Sequence, residues 1–245
     1  MRILIFTALI VIICPAMAQN KDALLWTGLE VDLPVTKDFG LKMETQTRLK
    51  SNFTQLATLY GELGAGYEPI NDLRFSLTYR YSRKDKGDYF GNENRFCTNV
   101  RYKIDVVKGL DLRFRARYQV AFNRLTVVND IAPETKNVFR FAGSLKYKNK
   151  EFKRIIPFVS AELFFPLDPV LNGDKLDTWR ARIGIDLDLP KRITGTIFYM
   201  YEHENRSYDN INHIYCITLG YEFKRLNKKK KKKKDEKPRL NEPEK

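Results

Sequence analysis

Leu25, Thr27, Leu29, Val31 and Leu33 alternate along the chain with Trp26, Gly28, Glu30 and Asp32, and Leu41, Met43, Thr45 and Leu49 alternate with Lys42, Glu44, Gln46 and Arg48. A period of two is the pattern of a strand with one apolar and one polar face. The same reading predicts strands over Ala57–Tyr67, Leu73–Tyr81, Phe96–Val106, Leu110–Phe122, Val138–Tyr147, Ile156–Phe165, Trp179–Leu189, Ile193–Tyr201 and Ile211–Phe223, eleven in all with the first two. Almost no stretch has helical period. Tight turns at Glu68–Asp72, Val107–Gly109 and Pro190–Arg192 are interleaved with longer polar connections at Arg83–Asn94, Asn123–Asn137, Pro166–Thr178 and Glu202–Asn210.

Such strands fit either a soluble barrel with its apolar face inward or a membrane barrel with that face outward. Tyrosine placement favours the membrane: Tyr67, Tyr79, Tyr81, Tyr102, Tyr118, Tyr147, Tyr199, Tyr201, Tyr215 and Tyr221 all share the apolar phase of their strands. Aromatic girdles at the headgroup level have that arrangement, as does the alternation of short periplasmic turns with longer outer loops. The expected fold is therefore an all-β, transmembrane antiparallel up-and-down β-barrel of about 10–12 strands. Eleven is an awkward count, because bacterial single-chain barrels normally have even numbers. Either one segment divides differently or an N-terminal piece crosses the lumen.

The two ends read differently from the body. Met1 and Arg2, the apolar run Ile3–Ile13 and the small-x-small Ala16–Met17–Ala18 predict a cleaved secretory signal over residues 1–18. A lipoprotein signal at Cys14 is disfavoured by Ile13 before it. Residues 19–223 would be the barrel, and 224–245 a disordered periplasmic tail containing the seven lysines Lys228–Lys234. The chain's formal charge is +14, of which the tail's 12 basic and 4 acidic residues supply +8. The basic balance is thus mainly a tail property, and nucleic acid is not an expected partner. Anionic lipid or cell-wall carboxylates could meet the tail. Lipids of the outer membrane and the barrel-insertion machinery are the partners expected of the body.

The inward phase carries the candidate chemistry. Arg48, Arg74, Arg80, Arg101, Lys103, Arg113, Arg115, Arg117, Arg140, Arg180 and Arg182 would line the lumen with Glu30, Asp32, Glu44, Asp105, Asp111, Glu162, Asp186 and Asp188, a set of 11 basic and 8 acidic groups. Opposite signs on adjacent strands should pair, since unpaired buried charge is costly. Eight strands leave an interior that side chains just fill, and sixteen to eighteen leave an open channel. An intermediate barrel should be narrow, with at most a modest anion preference.

Catalytic and metal-binding patterns are sparse, so neither an enzymatic activity nor a cofactor or metal is expected. The histidines are His203 and His213, with Ser207 in the loop between them. A surface hydrolase would need such a Ser and His paired and oriented. After signal cleavage Cys97 and Cys216 remain, on strands too distant in a simple meander to bond.

Trp26 followed by Glu30, the FSLTYRY segment Phe75–Tyr81 and the final LGYEF, Leu219–Phe223, after an exported start, resemble an uncharacterised family of Gram-negative outer-membrane β-barrel proteins, a domain of unknown function. The resemblance implies location and fold and brings no agreed activity. The aromatic end of the last strand looks like the signal read by the insertion machinery, although here a tail follows it. The functional expectation is a narrow charged-lumen passage or a surface and scaffold component. Alternatives are a soluble periplasmic lipocalin-like binding barrel and an outer-membrane hydrolase.

Overall fold

A computed structural model describes residues 22–124, 134–149, 154–167, 176–205 and 209–225. They form eleven strands: β1 (Asp22–Pro34), β2 (Phe39–Lys50), β3 (Gln55–Ile70), β4 (Leu73–Asp85), β5 (Phe90–Val107), β6 (Leu110–Phe122), β7 (Thr135–Tyr147), β8 (Ile155–Pro166), β9 (Thr178–Leu189), β10 (Ile193–Asn205) and β11 (Asp209–Glu222). Consecutive strands pair antiparallel, and β1 closes the barrel on β11. That closing pair is parallel, from Asp22 opposite Asn212 to Asp32 opposite Glu222. The purely antiparallel expectation fails at this seam for a geometric reason: in an up-and-down walk the first and last of an odd number of strands run the same way. Among the described residues no segment divides differently, and the closed barrel has eleven strands. β1 begins at the end where β10 turns into β11. The signal segment, and any piece crossing the lumen ahead of Asp22, lie outside the described residues, as do Ser207 and the tail beyond Arg225.

Two of the long loops foreseen from polarity are largely strand. β4 and β5 run on to Asp85 and from Phe90, and β10 continues to Asn205. These extensions carry Lys84, Glu93 and Glu204, and alternation fades there because both faces are polar. At the opposite end the hairpins are tight. Asp72 closes the β3–β4 turn at φ 69° and Gly109 the β5–β6 turn at φ 89°, each with a register shift beside it. Left-handed backbone of this kind favours Asp, Asn and Gly. A side chain on Gly109 would also strike the carbonyl of Lys148, whose N–H donates to Gly109 O at 2.6 Å.

The apolar phase faces outward on every strand. Leu29 (57% exposed), Leu63 (55%) and Ile183 (61%) belong to a continuous apolar band that includes Met43, Leu77, Phe141, Val159 and Ile217. Aromatic rings border the band at both ends. Near the turns Phe39, Tyr67 and Phe75 stand side by side on β2, β3 and β4, with Tyr221 against Phe223 at 4.9 Å. Towards the loops Tyr79 packs on Phe96, Tyr118 on Phe139, Trp179 on Tyr201, and Tyr199 on Tyr215. An apolar belt between two aromatic girdles is the exterior of a membrane-spanning barrel. A soluble barrel would turn this band inward, so the lipocalin-like alternative fails.

Candidate functional site: the lumen

The polar phase of all eleven strands meets inside the barrel around a cavity of about 740 Å³. It reaches from Lys86 and Glu93 near the loops down to Glu30, Lys42 and Arg74 near the turns. Arg48, Arg74, Arg80, Arg101, Arg115, Arg117, Arg140, Arg180, Arg182, Glu30 and Glu44 line it. Glu162 lies behind the arginines and is 1% exposed. Arg113, Asp186 and Asp188 keep the inward phase but sit closer to the turns, outside this cavity. There Arg113 meets Asp111 at 3.2 Å, and Lys146 pairs with Asp186.

Two clusters of arginines are held by opposite walls. On β6–β9, Glu162 accepts from Arg115 at 2.5 Å, from Arg140 at 2.8 Å and from Arg182 at 2.7 Å. Arg140 also donates to Gln119 at 3.1 Å and lies 4.1 Å over the Phe164 ring. Arg180 sits over the same ring at 4.5 Å and is held by Glu202, which in turn accepts from Asn212 at 3.1 Å. On β1–β4, Arg48 stacks 3.7 Å over Trp26 and Arg80 3.6 Å over Tyr60. Tyr60 donates to Glu44, Arg80 to Glu62 at 2.7 Å, and Arg48 to Gln46 at 2.7 Å. Planar guanidinium groups stack on rings while presenting forked donors to carboxylates, a geometry that a lysine ammonium lacks.

The register places these groups in one spiral. Starting at Asp22, directly paired inward positions run through Asn212, Glu202, Arg180, Glu162, Ala142, Arg115, Arg101 and Arg74. The spiral descends from the loop end to the turn end, which is the stagger that closes a tilted barrel. Within it Arg180 stands between Glu202 and Glu162, and its last three members are all arginines. Glu62 and Glu202 were missed from sequence. Glu202 begins a continuous polar run and reads as loop, and Glu62 lies between Gly61 and Leu63–Gly64, where the glycines weaken the alternation. Tyr60 and Trp26 share the inward phase yet look like apolar-face residues by composition.

The seam wall is apolar inside. Trp26, Met200, Ile214 and Cys216 form a buried cluster with Leu24 and Phe198 packed against it. Cys97 and Cys216 are free thiols on β5 and β11, on opposite sides of the strand order. Outside, His213 Nδ1 lies 2.6 Å from the Tyr199 hydroxyl, and His203 stacks on Trp179. Both histidines belong to the loop-side aromatic girdle. Among the described residues no group of three His, Cys, Asp or Glu is placed to hold a metal ion.

Fold and interior together define a membrane-spanning β-barrel with an arginine-rich lumen. The chain belongs to the family described as "Protein of unknown function (DUF2490)", matched over residues 23–213. Solved structures similar to it include the NanC porin in a rhombohedral crystal form, 15% identical, with 75% of this chain and 85% of that chain covered at a TM-score of 0.47. Another comes from work on in-meso crystallization of membrane proteins, 12% identical, with 79% and 80% covered at a TM-score of 0.39. No curated protein matches the chain.

Proposed function

We propose that this protein is an outer-membrane barrel providing a narrow passage for small anions. One observation carries the reading: the cavity of about 740 Å³ is lined by 14 Lys or Arg side chains against 7 Asp or Glu. A low-dielectric wall around such an excess concentrates counter-ions of the opposite sign. Arg48, Arg80, Arg101, Arg117 and Arg140 face this cavity from β2, β4, β5, β6 and β7. Eleven strands make the interior wider than the filled eight-stranded case and narrower than an open porin. The passage involves no catalytic step. The outer-membrane placement is supported by the two aromatic girdles and by the predicted export signal.

Purified barrel in a planar bilayer, under a potassium chloride gradient, should give small conductance steps whose reversal potential has the sign of chloride preference. Large cation-selective steps would refute the passage. Recovery of the protein in the soluble periplasm, rather than in outer membranes washed with high salt, would refute the location.

A further inference from the structure

Within the lumen, one group of arginines is supplied with an anion by the protein and a neighbouring group is not. Glu162 serves Arg115, Arg140 and Arg182. Next to them, Arg74 on β4 is directly opposite Arg101 on β5, and Arg101 directly opposite Arg115 on β6. Side chains so paired have Cβ atoms ~5 Å apart, and like charges there are destabilising. Among the described residues neither Arg74 nor Arg101 has a carboxylate within ion-pair distance. The charges around Arg101 are Arg115, Arg117 and Arg74, with Glu62 the acidic one, and Glu62 is already engaged by Arg80 at 2.7 Å. Among the described residues the hydrogen-bond acceptor of Arg117 is a neutral one, the Asn99 amide oxygen at 2.5 Å. Gly66 leaves room for the head of Arg74: a Cβ there would lie 2.6 Å from Arg74 Nη2. All these arginines face the cavity.

We infer that Arg74, Arg101 and Arg117 form a binding site for a tetrahedral dianion, a phosphate group carried free or as a phosphomonoester. This rests on the passage reading and adds to it a retained ligand class. Three guanidinium groups from three adjacent strands exceed what a monoanionic carboxylate can neutralise. A phosphate offers about two negative charges and at least three acceptor oxygens, matching the forked donors of arginine. The like-charge ladder is then a cost of the empty site that the ligand relieves.

The test is equilibrium dialysis of full-length detergent-solubilised barrel with radiolabelled inorganic phosphate. Unlabelled phosphate, glycerol 3-phosphate and acetate serve as competitors. Phosphate should bind saturably, at one per barrel and at least tenfold tighter than acetate. Competition by glycerol 3-phosphate as strong as that by phosphate assigns the site to esters as well, and competition by inorganic phosphate alone restricts it to the free ion. Arg74→Gln with Arg101→Gln should weaken binding at least tenfold, and Arg113→Gln, which lies outside the cavity, should not. If the double variant does not fold, Asn99→Asp is the second arm, since a built-in carboxylate beside Arg117 should compete with phosphate and weaken it. Equal displacement by acetate and phosphate, or undiminished phosphate binding in the folded Arg variants or in Asn99→Asp, overturns the site. Binding that survives in a barrel passing no current removes the passage and leaves the site. Anion currents without phosphate preference do the reverse.

Discussion

Changing Glu162 to Gln should be the most damaging single substitution of comparable size in the lumen. The carboxylate is 1% exposed and receives Arg115, Arg140 and Arg182 at 2.5–2.8 Å. Gln keeps the shape and one acceptor oxygen but removes the charge, leaving three guanidinium groups facing one another. Each charge-assisted bond is worth about 1.5–3 kcal/mol, and breaking a buried ion pair from one side costs about 3–5 kcal/mol. Arg140 retains Gln119 and its stack on Phe164, and the cavity lets water reach Arg115 and Arg182. The expected loss is therefore at the lower end, about 3 kcal/mol. Guanidinium unfolding in detergent, followed through Trp26 inside and Trp179 outside, measures it. Glu30→Gln is the control, since its pair with Lys42 is 39% and 28% exposed and such pairs contribute less than about 1 kcal/mol. Adding Arg182→Gln to Glu162→Gln should recover part of the loss by relieving the repulsion. A Glu162→Gln loss no greater than that of Glu30→Gln, or no recovery in the double variant, would refute the hub.

Three further outcomes follow from the same geometry. Thr27→Cys with Ile217→Cys, in a background without Cys97 and Cys216, should cross-link on mild oxidation because the two positions are paired across the parallel seam; a shift on non-reducing gels reads it, and unreacted thiols in the folded barrel would count against parallel closure. Arg117→Ser should move the reversal potential away from anion preference more than Arg113→Ser, because Arg117 lines the cavity and Arg113 sits on Asp111 nearer the turns; the opposite order would sink the assignment of the cavity as the passage. Truncation after Leu226 should leave heat-modifiable folded barrel with unfolding stability within about 0.5 kcal/mol of the full chain; failure to insert would give the tail a part in assembly.

The strands were legible from Leu25 onward because a barrel wall has two environments, and a period of two records them residue by residue. The ten outward tyrosines and the inward Arg48, Arg101 and Arg180 follow from that phase alone, and so does the odd number of strands. Tertiary structure decided what lies far apart in sequence and close in space. The parallel seam of β1 and β11 depends on the barrel closing, which no local pattern encodes. Polar connections such as Arg83–Asn94 turned into strand because hydrogen bonding to a neighbour holds them extended where both faces are wet. Glu162 among its three arginines, and Arg74 beside Arg101 with no carboxylate partner among the described residues, depend on register. A shift of one residue would turn these charges toward lipid, and a shift of two would exchange their partners. Alternation therefore tells which residues enter the lumen, but the stagger of the closed sheet determines which of them meet.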